Sequence, residues 1–278
     1  MIQEQKVRNL TFEDLVTGFK NLGLTKSDTV LVQSSFKAFG GVRGGPRTVI
    51  QAFLEVLSPE GTLVMPTFNW NDFGEKKLYS KLHTKPQTGI LSEILMGWEG
   101  AHRIYHPVHG FSLVGAKAQK LSQKVKNESS FESSSLFGEL HRMNAKLMLL
   151  GVNYGKGLTF FHYVEEMVGV PYRKFITLHG KVKELNGTIH DIFIPYYGRA
   201  SLDIHYNLDK IEPFLEDPMR SIVRVRKIGG STVKLMNASD VYDRIAETLK
   251  KYPDLVLQSA SHSTLYNGEE NARTNLQC

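Results

Sequence analysis

A chain of 278 residues, 41% hydrophobic and 22% charged, holds enough apolar side chain for one large core, which excludes a disordered or fibrous protein. No apolar run is long enough to cross a bilayer and no secretion signal opens the chain, so a soluble, cytoplasmic protein is expected; the single cysteine, Cys278, removes internal disulfides, thiolate metal cages and acyl-cysteine chemistry. Thirty-four Lys and Arg against 28 Asp and Glu leave a net charge of +6, which tilts the expected partner toward anions such as phosphates or nucleotides.

Phe12, Leu15, Val16, Phe19 and Leu22 fall at helical spacing and predict a helix over Thr11 to Leu22. Thr29 to Gln33 is a predicted buried strand ending in Ser34 and Ser35, and a glycine-rich loop runs from Phe36 to Gly45. From Pro46 a helix is predicted on Val49, Ile50, Phe53, Leu54 and Leu57, with the proline in the first turn, where it is tolerated. A second buried strand, Gly61 to Met65, reaches Pro66 and Thr67, completing a βαβ unit with a parallel strand pair. Phe68 to Gly89 has no sustained period and is too long for an ordinary connection, the mark of a functional loop. A helix over Leu91 to Trp98, a strand over Phe111 to Val114 and a helix over Ala116 to Val125 follow. The near-continuous apolar run Lys146 to Gly151 predicts a central parallel strand leading into a helix from Thr159. Asn186-Gly187 between two alternating segments, Lys181 to Leu185 and Thr188 to Ile194, predicts a hairpin. A last helix spans Asp240 to Leu249, and Ser259 to Cys278 has the polarity of a tail. The expected fold class is α/β: one domain over 1–258, its mainly parallel central sheet flanked by helices, with an antiparallel C-terminal addition.

Three loops carry candidate chemistry, each placed where open α/β sheets bind ligands. Ser34 and Ser35 with Gly40, Gly41, Val42, Arg43, Gly44 and Gly45 lead into a helix, so backbone N–H groups and the helix dipole suit a diphosphate; a plain glycine turn has the same composition. His106-Pro107-Val108-His109 offers two imidazoles for metal binding, proton transfer or backbone hydrogen bonds. Thr159, as an expected N-cap, puts His162 in the first turn, with Glu165 on the same face at i+3. That pair is minimal equipment for general-base catalysis and also a zinc-ligand spacing.

Together these stretches resemble the aminoglycoside 3-N-acetyltransferase family of coenzyme A-dependent N-acyltransferases. The matching pieces are Val30 to Ser35 with Gly44-Gly45, Gly61 to Thr67, Gly89, His106-Pro107-Val108-His109, Leu149 to Val152, Thr159 to His162 with Glu165, and Gly229 to Thr232, over roughly residues 10 to 250. The resemblance implies that His162 is the catalytic base with Glu165 beside it, and that no metal takes part. It further implies that Ser34, Ser35, Phe36, Val42, Arg43, Gly44, Gly45, Thr67 and His106 hold a coenzyme A thioester, acetyl or longer. Asp72, His109 and Thr159 are expected to meet the acceptor. Backbone N–H groups near Ser35 are expected to stabilise the oxyanion.

Two departures concern the acceptor side: Thr84 to Thr88 replaces a Thr-Pro-Ser stretch, and Gly110 stands where a serine is common. The charge of +6 also suits a polycationic aminoglycoside poorly, and Arg220, Arg224 and Arg226 alternate as if on one strand face, which a charged edge strand would also show. The favoured acceptor is therefore a nucleotide-linked amino deoxysugar such as a dTDP-4-amino-4,6-dideoxyhexose, used for surface glycans. An aminoglycoside is the alternative. A zinc hydrolase using His162, Glu165 and His106 or His109 is a further alternative. The expected partners are the acyl-CoA and the amino sugar, with a homodimer compatible and neither nucleic acid nor membrane called for.

Overall fold

The computed structural model describes residues 9–126 and 128–258, so the expected tail over Ser259 to Cys278 lies outside the described residues. Helix α1 (Phe12–Leu22) opens with a capping box, Thr11 Oγ1 accepting from the Asp14 N–H and the Asp14 carboxylate from the Thr11 N–H. Strand β1 (Thr29–Ser34), a 3₁₀ turn (Phe36–Phe39), α2 (Pro46–Leu57) and β2 (Thr62–Phe68) follow. Next come β3 (Leu78–Ser80), α3 (Ile90–Met96), β4 (His102–Ile104), β5 (His109–Gly115) and α4 (Ala118–Lys124). The chain continues through α5 (Leu136–Arg142), β6 (Lys146–Leu150), α6 (Tyr154–Gly157) and α7 (Phe160–Val168) to the hairpin of β7 (Arg173–Lys183) and β8 (Ile189–Arg199). Past a second 3₁₀ turn (Leu208–Ile211) lie α8 (Glu212–Leu215), β9 (Arg224–Ile228), β10 (Ser231–Asn237) and α9 (Ala238–Lys251).

Seven strands form the central sheet, in the order β4-β5-β2-β1-β6-β10-β9. Strand β1 is parallel to β2 on one side and to β6 on the other, as the βαβ pattern and the apolar run at Lys146 predict. Antiparallel strands extend this nucleus on both flanks. Strands β10 and β9 are the expected C-terminal addition, and β5 with β4 is a second one on the opposite edge. The Asn186-Gly187 hairpin is present, Gly187 at φ 88° and Lys183 opposite Ile189; with β3 it makes a separate three-stranded sheet.

Alternate side chains of a strand point to opposite faces, so a strand covered on both must be apolar throughout. Val30 and Val32, Leu63 and Met65, and Met148 and Leu150 pack with α1, α2 and α3 on one face. Leu31, Val64, Leu147 and Leu149 pack with α5, α7 and α9 on the other. The helix after β1 and the helix after β6 therefore lie on opposite faces. At such a switch point the loops diverge and leave a crevice at the carboxyl ends of the strands.

Helix α5 is not among the predicted elements. Seven residues with only Leu136, Phe137 and Leu140 as large apolar side chains follow a serine-rich run, too few turns for a period to show.

The face under α1 and α2 is closed by Phe19 and Phe53, stacked at 4.0 Å between ring centroids and both fully buried. Phe53→Ala should cost about 3–5 kcal/mol in urea unfolding, because the cavity cannot collapse against two helices and a sheet. A loss below about 1 kcal/mol would show this face to be plastic.

Candidate active site

The loops leaving β1, β2 and β6 enclose a cleft with two lobes. The first, about 500 Å³, is lined by Ser34, Ser35, Phe36 and Lys37 after β1, by Gln87 to Ile90 at the head of α3, and by Val152 and Lys156 after β6. The second, about 240 Å³, runs past Phe68, Leu158 and Thr159 to His162. Gln33, Trp70, Thr88 and Lys156 line both lobes, so the two adjoin along a shared wall. The long excursion after β2 is drawn back to form one wall. Gln87 donates its N–H to Phe68 O and accepts from the Trp70 N–H through Oε1, and Thr88 Oγ1 donates to Pro66 O at 2.6 Å. Gly89, at φ 97° as the residue before α3, turns the chain at this wall.

Thr159 has αR backbone and does not cap α7 with its side chain, as the sequence suggested. Its Oγ1 accepts instead from Gln33 Nε2 at 2.7 Å, and its carbonyl accepts from the His162 N–H. The side chains of His162 and Glu165 are 1% and 0% exposed, with Nδ1 2.5 Å from Oε2. Arg173, the first residue of β7, places Nε 2.7 Å from the same oxygen and donates from Nη1 to Tyr197 O. Burial alone would raise the Glu165 pKa, but Arg173 and then His162 outweigh it and hold the carboxyl below its ordinary value. For its neighbour Glu166, Arg173 offsets only part of the effect of burial and Glu132, which push it up to about 7. An ionised Glu165 accepts from His162 Nδ1–H, which leaves the lone pair on Nε2 and equips the ring to take a proton.

Of the residues expected in the site, the structure brings Ser34, Ser35, Phe36, Thr159 and His162 to the cleft. Others are elsewhere. Val42 bridges to Leu10 and Arg43 donates its N–H to Leu10 O, so Val42, Arg43, Gly44 and Gly45 stand at the head of α2, outside the lining residues of both lobes. Gly45, at φ 73°, has open space where a Cβ would stand. Thr67 is buried in the sheet opposite Gly110. His106 accepts from the Val108 and His109 N–H groups through Nδ1, is pushed down to about 3 by burial and by His109, and lines a separate cleft beside Tyr79 and Tyr105. His109 bonds Ser130 Oγ at 2.7 Å behind Phe68 and Trp70. Asp72 is exposed and accepts from Asn69 in a turn. Among the described residues no three His, Cys, Asp or Glu side chains converge as metal ligands, so the triad of the hydrolase alternative is not assembled. Ser35 donates its own N–H to Leu150 O, which removes it as an oxyanion donor. Of the expected arginine face only Arg224 and Arg226 alternate on one side of β9, which is the charged edge strand of the sheet; Arg220 precedes it, and Arg224 lies against Gly23 at the end of α1.

Gln33, Trp70, Lys156 and Arg173 were not singled out from the sequence, whereas Thr88 belongs to the Thr84 to Thr88 stretch expected on the acceptor side. Trp70, one of only two tryptophans, was the sole one with a compositional signal. Gln33 meets Thr159 across a separation of 126 residues, which no local pattern carries.

A sequence model described as aminoglycoside 3-N-acetyltransferase matches residues 31–250. Aminoglycoside N(3)-acetyltransferase III of Pseudomonas aeruginosa is 27% identical over 173 residues, 56% of this chain and 63% of that protein. The chain thus spans just under two thirds of the length of this curated relative. Among solved structures, apoenzyme AAC(3)-IVa aligns with TM-score 0.75 at 21% identity, covering 92% of this chain and 95% of that one. A binary complex of AAC-IIIb with CoASH aligns with TM-score 0.75 at 19% identity, covering 88% and 98%. No described helix is long and apolar enough to cross a membrane.

Gly110 has a packing explanation. A Cβ there would stand 2.9 Å from Thr67 Oγ1 and 3.1 Å from Ile104 O, inside the sheet and away from the cleft. Gly110→Ser should therefore lower stability by about 1–3 kcal/mol and leave the ratio of kcat/KM between competing amines unchanged. An altered amine preference at unaltered stability would return this position to the acceptor site.

Proposed function

The chain belongs to the aminoglycoside 3-N-acetyltransferase family, and on that premise we propose that it transfers an acyl group from a coenzyme A thioester to the amine of an amino sugar. The observation that carries this reading is the buried His162–Glu165 pair at the inner end of a cleft whose outer lobe begins at Ser34.

In this reading the thioester occupies the first lobe, against Ser34, Ser35 and Phe36, and the diphosphate arm extends toward Gly44, Gly45 and the N-terminus of α2. The outer lobe is roomy enough for a pantetheine, and Gly45 leaves the backbone approach open. The acceptor amine enters the second lobe as the neutral base. Its nitrogen attacks the thioester carbon while His162 Nε2 takes the departing proton. The C–N bond forms, the C–S bond breaks, and the proton passes on to the leaving sulfur, giving an amide and the free thiol. The amides of Phe36 and Lys37, at the head of a 3₁₀ turn where N–H groups lack intrahelical partners, replace Ser35 as donors to the oxyanion.

The names of the relatives favour an aminoglycoside acceptor. One observation favours the nucleotide-linked amino sugar expected from the sequence: Lys156 is the one Lys, Arg, Asp or Glu among the described residues lining the second lobe, a charge that suits an anion better than a cation. Release of thiol from acyl-CoA, measured against aminoglycosides, free amino sugars and dTDP-linked amines, tests both.

His162→Ala should lower kcat by about 10²- to 10⁴-fold and leave the affinity for coenzyme A nearly intact, since a base acts on the amine and not on thioester binding. Wild-type turnover in that variant would remove His162 from the mechanism. Lys156→Ala should raise kcat/KM for an aminoglycoside by about fivefold and lower it for a dTDP-linked amine. No change for either would mean that Lys156 does not meet the acceptor.

A further inference from the structure

The Arg173 side chain is 2% exposed, and a guanidinium so enclosed is costly unless its donors and faces are met. Nε lies on Glu165, Nη1 donates to Tyr197 O, and the Tyr206 ring stands 5.0 Å from the guanidinium carbon. Nη2 comes within 2.8 Å of His162 Nδ1. A single ring nitrogen cannot serve both neighbours. If Nδ1 accepted from Arg173, its lone pair would face a carboxylate oxygen 2.5 Å away, two acceptors opposed. With Glu165 ionised the conflict resolves one way: Nδ1 donates to Glu165, and Nη2 stands beside it as a charge.

In a His–Glu pair the carboxylate favours imidazolium while burial opposes it, and an imidazolium is no base. Arg173 offsets the carboxylate. A proton added to the ring would then bring a second cation against the guanidinium.

We propose that Arg173 is a positioning residue that holds His162 as a neutral ring, with its proton on Nδ1 and its lone pair on Nε2. The proposal rests on His162 as the base but is read by a separate measurement. The other titratable groups around this cluster are Glu166, Tyr172, Tyr197 and Lys156. Both phenols are pushed up and stay neutral; Glu166, pushed up to about 7, is held down in part by Arg173 and rises further in Arg173→Gln, so the ring's own nitrogen-15 signals, not the kcat profile, decide the proposal.

Nitrogen-15 NMR of the His162 ring, assigned against His162→Gln, reports the ring without any substrate. At pH 7 the unaltered protein should show a neutral ring protonated at Nδ1, and Arg173→Gln should show imidazolium. In Arg173→Gln the acid limb of the kcat profile should move up by about one pH unit or more, and kcat at pH 7 should fall about tenfold with the acyl-CoA KM within about twofold. Arg173→Lys, which restores the charge without the fork, should return the limb part way. An Nε2-protonated ring or an imidazolium in the unaltered protein at pH 7 overturns the proposal even if Arg173→Gln fails to fold. So does an unmoved ring signature in folded Arg173→Gln. Undiminished turnover in His162→Ala would instead sink the acyltransfer mechanism, and the ring spectra would still judge the proposal.

Discussion

A carboxylate with no exposed surface persists as an ion only where a cation is brought to it, and in this chain the two come from different elements. Glu165 is presented by α7, whose start is fixed by the central strand β6, and Arg173 arrives as the first residue of a hairpin belonging to a second sheet. The hairpin thus meets α7 through a charged contact set within an apolar joint, where Tyr196 and Tyr197 of β8 enter the main core. Tyr197 O on β8 holds the far end of the guanidinium, so the hairpin pairing itself fixes the cation's place. Withdrawing one partner leaves the other charged and enclosed, the most destabilising change such a pair can suffer.

The central sheet also dictates where that pair can act. Parallel strands β2, β1 and β6 end on one side, and the chain turns to opposite faces after β1 and β6. The crevice at their ends needs no dedicated architecture. What the loops add is closure: the excursion after β2 folds back through Gln87 and Thr88, and Gln33 reaches across to Thr159.

The βαβ unit, the apolar strand at Lys146 and the Asn186-Gly187 hairpin were legible because each carries its signal locally, in hydrophobic period or turn chemistry. His162 and Glu165 were legible for the same reason, one helical turn apart. Arg173 was not: it joins them from beyond the helix end at Gly169, and its part depends on how β7 docks. His106 and His109 show the opposite failure. A His-Pro-Val-His stretch fits a ligand set and a tight turn equally well, and only the turn's backbone donors on His106 Nδ1 show which one formed. Gly110 likewise looked like a change of specificity, yet the neighbouring strands leave no room for a side chain.

The walls shared by the two lobes have a consequence for substrate size. Gln33, Trp70, Thr88 and Lys156 border the outer and inner spaces alike, so these four side chains are all that stands between the two where they adjoin. On the proposed acyl transfer, volume taken by one substrate would be volume denied to the other, and a longer acyl chain reaching past Trp70 would shorten the acceptor that fits the 240 Å³ inner lobe. Under that proposal acyl length and acceptor bulk would be one variable, and selection acting on either would read out in both.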